Sequence, residues 1–385
     1  ERGKIAYDKM LSTKKVLSKP IGRFTILKSL IATLLSKTKK IGIRREEAYY
    51  LPLLTNADSA INIPFIFQLL DYAAERGGLS MWVCGLFLRR LCRNYDINHV
   101  LCASPVVLPR LQNTVRVTQY VHDLMPLQLT QDPIEGNSPR KFAERLRRIV
   151  KGSTDFITNS EDTKSKLLEV FPHVEAAVLS PGPLYLLDEK EYSNDIDEHV
   201  LQKHGVDSGG YFFFVSALEK RKNIEGLIKG YLASFKRTKK PLLVAGSKGY
   251  EFDEIEKLIS GLRPVQKAHI KFIGYISESE KVTLLRHASI FLFPSFYEGF
   301  GLPVLEAYAL GCPVITADRG GLKEAAGEAA LLISDPHDHY EIGQRIIELD
   351  TDESKKADLI NAGKSQVMKF EPARFVVVLD EFLRR

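Results

Sequence analysis

Two carboxylates eight residues apart, set around a pair of glycines, are the strongest chemical signal in this 385-residue sequence. The segment runs Pro294-Ser295-Phe296-Tyr297-Glu298-Gly299-Phe300-Gly301-Leu302-Pro303-Val304-Leu305-Glu306. An apolar run over 290–293 precedes it, and a helical pattern follows. Gly299 and Gly301 allow the backbone to pass close to a ligand, and Pro303 suits the first turn of a helix. N–H groups exposed at such a helix start favour an anion such as a diphosphate. Glu298 falls in the loop. Glu306 falls one turn into the helix, where a carboxylate can accept both hydrogen bonds of a ribose diol.

A second segment, Ser216-Ala217-Leu218-Glu219-Lys220-Arg221-Lys222-Asn223, also follows an apolar run and opens a helix. Cations at that position can neutralise a diphosphate; the same residues can also be a plain basic helix start capped by Asn223. In the first half, His122 and Asp123 stand at a strand end. A histidine there can bond a sugar hydroxyl, and the aspartate can orient it or act on an acceptor; an ordinary loop is the other reading. Asn159-Ser160-Glu161-Asp162-Thr163-Lys164 reads as a strand end and helix cap. His337 and His339, without further ligands nearby, read as surface residues and not as a metal site.

The elements that position these residues alternate between apolar β-type runs and charged helical stretches, which argues for an α/β chain built on parallel sheets. Strands are predicted over 4–7, 99–103, 115–120, 155–159 and 176–179, then over 211–216, 241–245, 270–272, 290–293 and 313–317. Helices are predicted over 24–36, 66–76, 86–94, 139–151 and 161–170, then over 223–235, 252–262, 277–288, 303–310 and 339–349. The polar stretch 187–210 reads as the boundary between two domains, and 370–385 as a final helix after Pro372. Two such sheets facing each other leave a cleft with strand-end loops on both walls.

Composition sets the class. Hydrophobic residues make up 44% and charged residues 26%, as in a globular protein. No apolar run reaches the roughly 20 residues of a membrane-spanning helix, and the N-terminus has no secretory pattern. Cys84, Cys92, Cys102 and Cys312 have no CxxC spacing, so free thiols in a reducing compartment are expected. The net charge of +6 is uneven: residues 1–50 hold thirteen Lys and Arg against four Asp and Glu. A second basic cluster comprises Arg140, Lys141, Arg145, Arg147, Arg148 and Lys151. Both are either solvated faces or surfaces drawn to an anionic bilayer or lipid phosphate. The basic segments lack interleaved aromatics, which argues against nucleic acid as a partner.

The thirteen-residue segment resembles the Glu-x7-Glu motif of retaining glycosyltransferases of family 4, which have the GT-B fold of two facing Rossmann-like domains. The resemblance extends to 243–249, 273–276, 311–315 and 321–327, and so to most of residues 210–345. Val121-His122-Asp123-Leu124-Met125-Pro126-Leu127 is similar to a segment of bacterial polysaccharide mannosyltransferases in that family. Lys4-Ile5-Ala6-Tyr7-Asp8 looks like the family's first strand, and Ile21-Gly22-Arg23-Phe24-Thr25 like its glycine loop near the acceptor.

The resemblance implies a domain over 1–190 completed by a helix over 372–385, and a donor domain over 205–371. It implies that Arg221 and Lys222 hold the leaving diphosphate, that Glu298 and His122 face the transferred sugar, and that Glu306 grips the ribose. Gly299, Phe300, Gly301, Leu302, Gly22, Lys248, Tyr275 and Ile276 would line the donor, and Asp123 and Arg23 the acceptor. The implied partners are a nucleotide sugar, GDP-mannose before UDP-glucose or UDP-N-acetylglucosamine, and a glycan or lipid-linked acceptor. No cofactor and no metal is expected, and the location implied is the cytoplasm, at the inner membrane face through the basic N-terminal segment. The competing readings are a non-catalytic binding or scaffold subunit of the same fold, an epimerase or a phosphorylase.

Overall fold

A computed structural model of the chain describes residues 98–383, apart from 103–104, 112, 129–138, 184–193 and 250–251, and within 85–93 residues 85–86, 88–90 and 92–93. The strand expected over 4–7, the helices expected over 24–36 and 66–76, and Gly22 and Arg23 lie outside the described residues. The chain divides into two compact units, residues 1–98 with 106–115, and residues 99–105 with 116–385. The described part of the first unit has helical pieces within 85–93. Leu88 and Cys92 are buried there, and Arg89 donates to the Arg110 carbonyl at 2.7 and 3.1 Å.

The second unit holds two parallel sheets. One has four strands in the order β1 His99–Cys102, β2 Arg116–Val121, β3 Asp155–Thr158, β4 Ala176–Val178. Helices α1 Met125–Gln128 and α2 Pro139–Lys151 separate β2 from β3, and α3 Glu161–Val170 separates β3 from β4. The other sheet has six strands, β5 Phe212–Val215, β6 Leu242–Ala245, β7 Ile270–Gly274, β8 Ile290–Phe293, β9 Val314–Ala317 and β10 Ala330–Ile333, in the spatial order β10-β9-β8-β5-β6-β7. β5 (FFFV) and β8 (IFLF) are wholly apolar, as befits strands covered on both faces. Their phenylalanines interleave: Phe214 stacks on Phe293 at 6.0 Å, and Phe213 meets Phe291 at 6.3 Å.

Helices α5 Ile224–Thr238, α6 Phe252–Gly261, α7 Pro264–Lys267, α8 Glu278–Arg286, α9 Leu302–Ala309, α10 Gly321–Ala326, α11 His339–Thr351 and α12 Glu353–Val367 belong with this sheet. The last helix, α13 Pro372–Leu383, meets the four-stranded sheet. Arg116, at the start of β2, donates to the Phe382 carbonyl at 3.1 Å and lies over its ring at 4.8 Å.

Some elements are absent from the sequence reading. Inside the stretch read as a polar connection stands α4 Asn194–His204. Its Asp197 is buried and accepts hydrogen bonds from Thr283 at 2.6 Å, Arg286 at 2.8 Å and His287 at 3.1 Å. An acidic residue that looks like linker surface thus anchors α4 to α8. The helices α10 and α12 and the strand β10 were likewise not anticipated.

Candidate functional site

β5 pairs with β6 on one side and with β8 on the other. Chain direction through the sheet therefore reverses between β5 and β8, and the loops that leave their carboxyl ends part there. Such a switch point is where open α/β sheets bind ligands. The loop after β5 carries Arg221 and Lys222, and the loop after β8 carries Glu298, Gly299 and Gly301.

The two loops are joined by charge. Arg221 Nη1 lies 3.3 Å from Glu298 Oε2, and Lys222 Nζ lies 2.5 Å from Glu298 Oε1. Arg221 Nε also binds Glu219 at 2.7 Å, and the Arg221 carbonyl accepts from the Phe296 amide at 2.9 Å. Lys222 is 6% exposed, and its ammonium stands 5.2 Å above the Phe293 ring. Burial lowers the Lys222 pKa, while Glu298 pulls it back towards the charged form. Asp123 adds a further negative charge facing Arg221.

Local backbone chemistry holds the cations in place. Lys220–Lys222 form one 3-10 turn, ended by Asn223 at φ 56°, ψ 43°. Asparagine tolerates that left-handed conformation better than most residues. Its side chain caps α5 by accepting from the Gly226 amide at 3.1 Å. Its amide donates to the carbonyls of Pro294 at 3.1 Å and Pro336 at 2.6 Å. Asn223 therefore ties the β5 loop to the loops after β8 and β10.

Gly299 meets the other sheet. A Cβ there would sit 2.2 Å from the His122 carbonyl and 2.9 Å from Asp123 Cβ, so only glycine fits. The Gly299 carbonyl accepts from Ser160 Oγ at 2.6 Å and Thr163 Oγ1 at 3.3 Å. Ser160 also caps α3, accepting from the Thr163 amide at 3.1 Å. The first two amides of α3, from Glu161 and Asp162, each donate to the Glu324 carboxylate at 2.7 Å. Tyr297 donates to Asp162 at 3.2 Å, and Lys166 lies over its ring at 4.3 Å. Thus the β8 loop and α10 together receive the start of α3. Gly301 adopts φ 118° and begins α9, and as a glycine it has no side chain to cap the positive end of that short helix.

Glu306 projects from α9. Lys281 of α8 holds both of its oxygens, at 3.0 and 3.1 Å, and also binds Glu278 at 2.8 Å. Burial raises the Glu306 pKa above the ordinary carboxylate range, and Lys281 opposes that shift.

His122 is exposed, its ring 4.7 Å from that of Tyr120. Beside it a cavity of about 210 Å³ is lined by Asp123, Leu124, Phe142 and Arg145. Asp123 accepts from the Met125 amide at 3.2 Å. Tyr275 is exposed and Ile276 buried, just before α8. Lys248 pairs by backbone with Leu218, but its side chain turns out to Glu256 at 2.8 Å. Phe300 faces the core, edge-on to Phe370 at 5.2 Å, so its side chain serves packing. Leu302 is half-buried as the first residue of α9. His337 stacks on Phe296 at 4.4 Å. Among the described residues no group of three or more His, Cys, Asp or Glu side chains could hold a metal ion.

Sequence reasoning missed Lys281, Ser160 as a partner of Gly299, Glu219 and Glu324. Lys281 lies four residues after Ser277, the cap of α8. That spacing places it on the helix but does not say which carboxylate it faces.

Residues 197–366 match the family of Glycosyl transferases group 1. The O-antigen chain mannosyltransferase B of Escherichia coli is 35% identical over 233 residues, which cover 60% of this chain and 60% of that protein. The serotype-specific mannosyltransferase WbdA of Escherichia coli is 28% identical over 184 residues, 47% of this chain and 22% of its own length. The matched region thus spans less than two thirds of each of these relatives. Among solved structures, sucrose-phosphate synthase from Thermosynechococcus elongatus aligns with a TM-score of 0.63 at 21% identity, covering 89% of this chain and 80% of that one. WaaG, a glycosyltransferase involved in lipopolysaccharide biosynthesis, aligns at 0.61 and 15% identity, covering 78% and 82%.

Proposed function

With the GT-B fold established and residues 197–366 matching the Glycosyl transferases group 1 family, we propose that this chain moves a hexose from a nucleotide diphosphate sugar, GDP-mannose, to a glycan or lipid-linked acceptor. The observation that carries the reading is the meeting of Arg221, Lys222 and Glu298 at the β5/β8 switch point. The 35% identity to an O-antigen mannosyltransferase supports mannose as the sugar.

In this reading the pyrophosphate lies on Arg221, Lys222 and the start of α9, and takes over the cations that Glu298 now neutralises. Charge grows on the leaving oxygen as the bond to the sugar breaks, and fixed cations stabilise that charge without reorganising. Glu298, once released, turns its oxygens towards the sugar hydroxyls, with His122 opposite. The acceptor oxygen bonds to the anomeric carbon on the face the leaving group departs from. Its proton passes to the departing phosphate oxygen, and the anomeric configuration is retained. Arg221 and Lys222 supply the positive charge in this scheme, so a chelator leaves turnover unchanged.

On α2, Arg140, Lys141, Arg145, Arg147, Arg148 and Lys151 are exposed, while Leu146, Ile149 and Val150 face inwards. This helix would bring the protein to an anionic membrane face, where a lipid-linked acceptor resides. Among the described residues no helix is long and apolar enough to cross a membrane.

The test is release of nucleoside diphosphate from GDP-mannose, UDP-glucose and UDP-N-acetylglucosamine, with the product anomer read by NMR. Turnover of GDP-mannose with retained configuration supports the proposal. Turnover of a uridine donor alone overturns the sugar assignment, an inverted product overturns the same-face transfer, and no release from any donor favours a binding subunit.

A further inference from the structure

Glu306 would be a poor recognition group by itself. It is a carboxylate inside a lobe, where desolvation disfavours its charged form, and a neutral acid cannot accept two hydrogen bonds from a diol. Lys281 answers that problem by geometry, since its ammonium meets both Glu306 oxygens at nearly equal distance, 3.0 and 3.1 Å. Such a two-pronged contact fixes the plane of the carboxylate as well as its charge.

The ion pair also spans two elements. Lys281 stands in α8, which is capped by Ser277 immediately after Tyr275 and Ile276, and Glu306 stands in α9. The start of α8 is itself rigid: Ser277 accepts from the Glu280 amide at 3.2 Å, and Glu280 accepts from the Ser277 amide at 2.9 Å. Buried ion pairs add little net stability over apolar packing. What this one supplies is a fixed relation between the loop after β7 and the α9 carboxylate.

We propose that Lys281 is a positioning residue for the nucleoside: it holds Glu306 ionised and oriented for the ribose diol. The proposal rests on the reading of Glu306 as the ribose ligand. In this proposal Lys281 acts on the nucleoside through Glu306, while also pairing with Glu278 at 2.8 Å.

The test measures calorimetric affinity for GDP and for 2′,3′-dideoxy-GDP, or the uridine pair if that is the series bound. The proteins are wild type, Glu306→Gln, Lys281→Met, Lys281→Gln and Lys281→Arg, with thermal unfolding followed for each. Wild type should prefer the diol-bearing nucleotide by about tenfold or more, as expected for a two-bond contact to a charged group. Glu306→Gln should erase that preference. Lys281→Met and Lys281→Gln should erase it too, and Lys281→Arg should keep most of it. If Lys281→Met proves unstable, Lys281→Gln and Lys281→Arg give the same comparison.

A general loss of packing would weaken both nucleotides equally and leave the preference intact. A preference retained in both neutral Lys281 variants but lost in Glu306→Gln overturns the positioning role and leaves the ribose reading standing. A preference retained in Glu306→Gln overturns the ribose reading, and this proposal with it.

Discussion

The two ends of the site use the same pair of residue types in opposite ways. At the proposed phosphate end, Glu298 lies in a loop and is shared by Arg221 and Lys222, while Arg221 also binds Glu219 and faces Asp123. At the proposed nucleoside end, Glu306 lies on a helix, and one lysine on a neighbouring helix holds both of its oxygens. In the proposed reaction an incoming pyrophosphate displaces Glu298 from these two cations. The second sets one ammonium between two carboxylates, Glu306 and Glu278, and its two-pronged contact fixes the plane of Glu306. An exchangeable ion pair belongs where charge develops in the reaction, and a fixed one where the ligand is only recognised.

The largest effect is expected from breaking the phosphate end. Lys222→Met removes the buried ammonium and should lower kcat/KM for the preferred donor by about 100- to 1,000-fold, as loss of a charge-stabilising group does. A fall of less than about tenfold, with the fold intact by circular dichroism, would place the cation outside the chemistry. Next is Gly299→Ala. Its Cβ would press on the His122 carbonyl, a backbone atom, so destabilisation of about 1–3 kcal/mol is expected in denaturant unfolding. An unchanged unfolding midpoint would mean that the β8 loop does not bear on the His122 strand end.

A smaller effect should follow Glu324→Ala, which strips two α3 amides of their acceptor; about 1 kcal/mol is expected, as for loss of a helix cap. The smallest concerns the support of the nucleoside end. Glu280 is partly buried, which would raise its pKa, but bonds from Lys203 and Ser277 prevail and hold it down at about 2. A carboxyl depressed in the folded state contributes stability above its unfolded pKa and loses it as pH falls. The acid limb between about pH 4.5 and pH 2 should therefore flatten in Glu280→Gln. Glu306, raised by burial, has the opposite sign and costs stability as pH rises above 4.5.

The cluster of Arg221, Lys222 and Glu298 was legible in the sequence because its residues are local to two strand–loop–helix junctions. Glu298, Gly299 and Gly301 announce themselves by type and spacing, and Arg221-Lys222-Asn223 by position after an apolar run. The sequence reading located α2, α3 and β8, whose apolar patterns are strong. Illegible were the pairings between distant segments. Nothing in the α8 sequence says that Lys281 turns to Glu306, and nothing at Ser160 says that its hydroxyl has a partner 139 residues away. Lys248 shows the converse, since its backbone lies beside the β5 loop while its side chain pairs outwards with Glu256. Asp197 looked like linker because a buried acid is recognised only by its partners, and those lie on α8.

The central claim is that Arg221 and Lys222 bind a pyrophosphate. Calorimetric titration of wild type and Lys222→Met with the nucleoside diphosphate and the matching monophosphate tests it most directly. Wild type should hold the diphosphate about tenfold or more tightly than the monophosphate, and in Lys222→Met that gap should close. An equal gap in the two proteins would contradict the account.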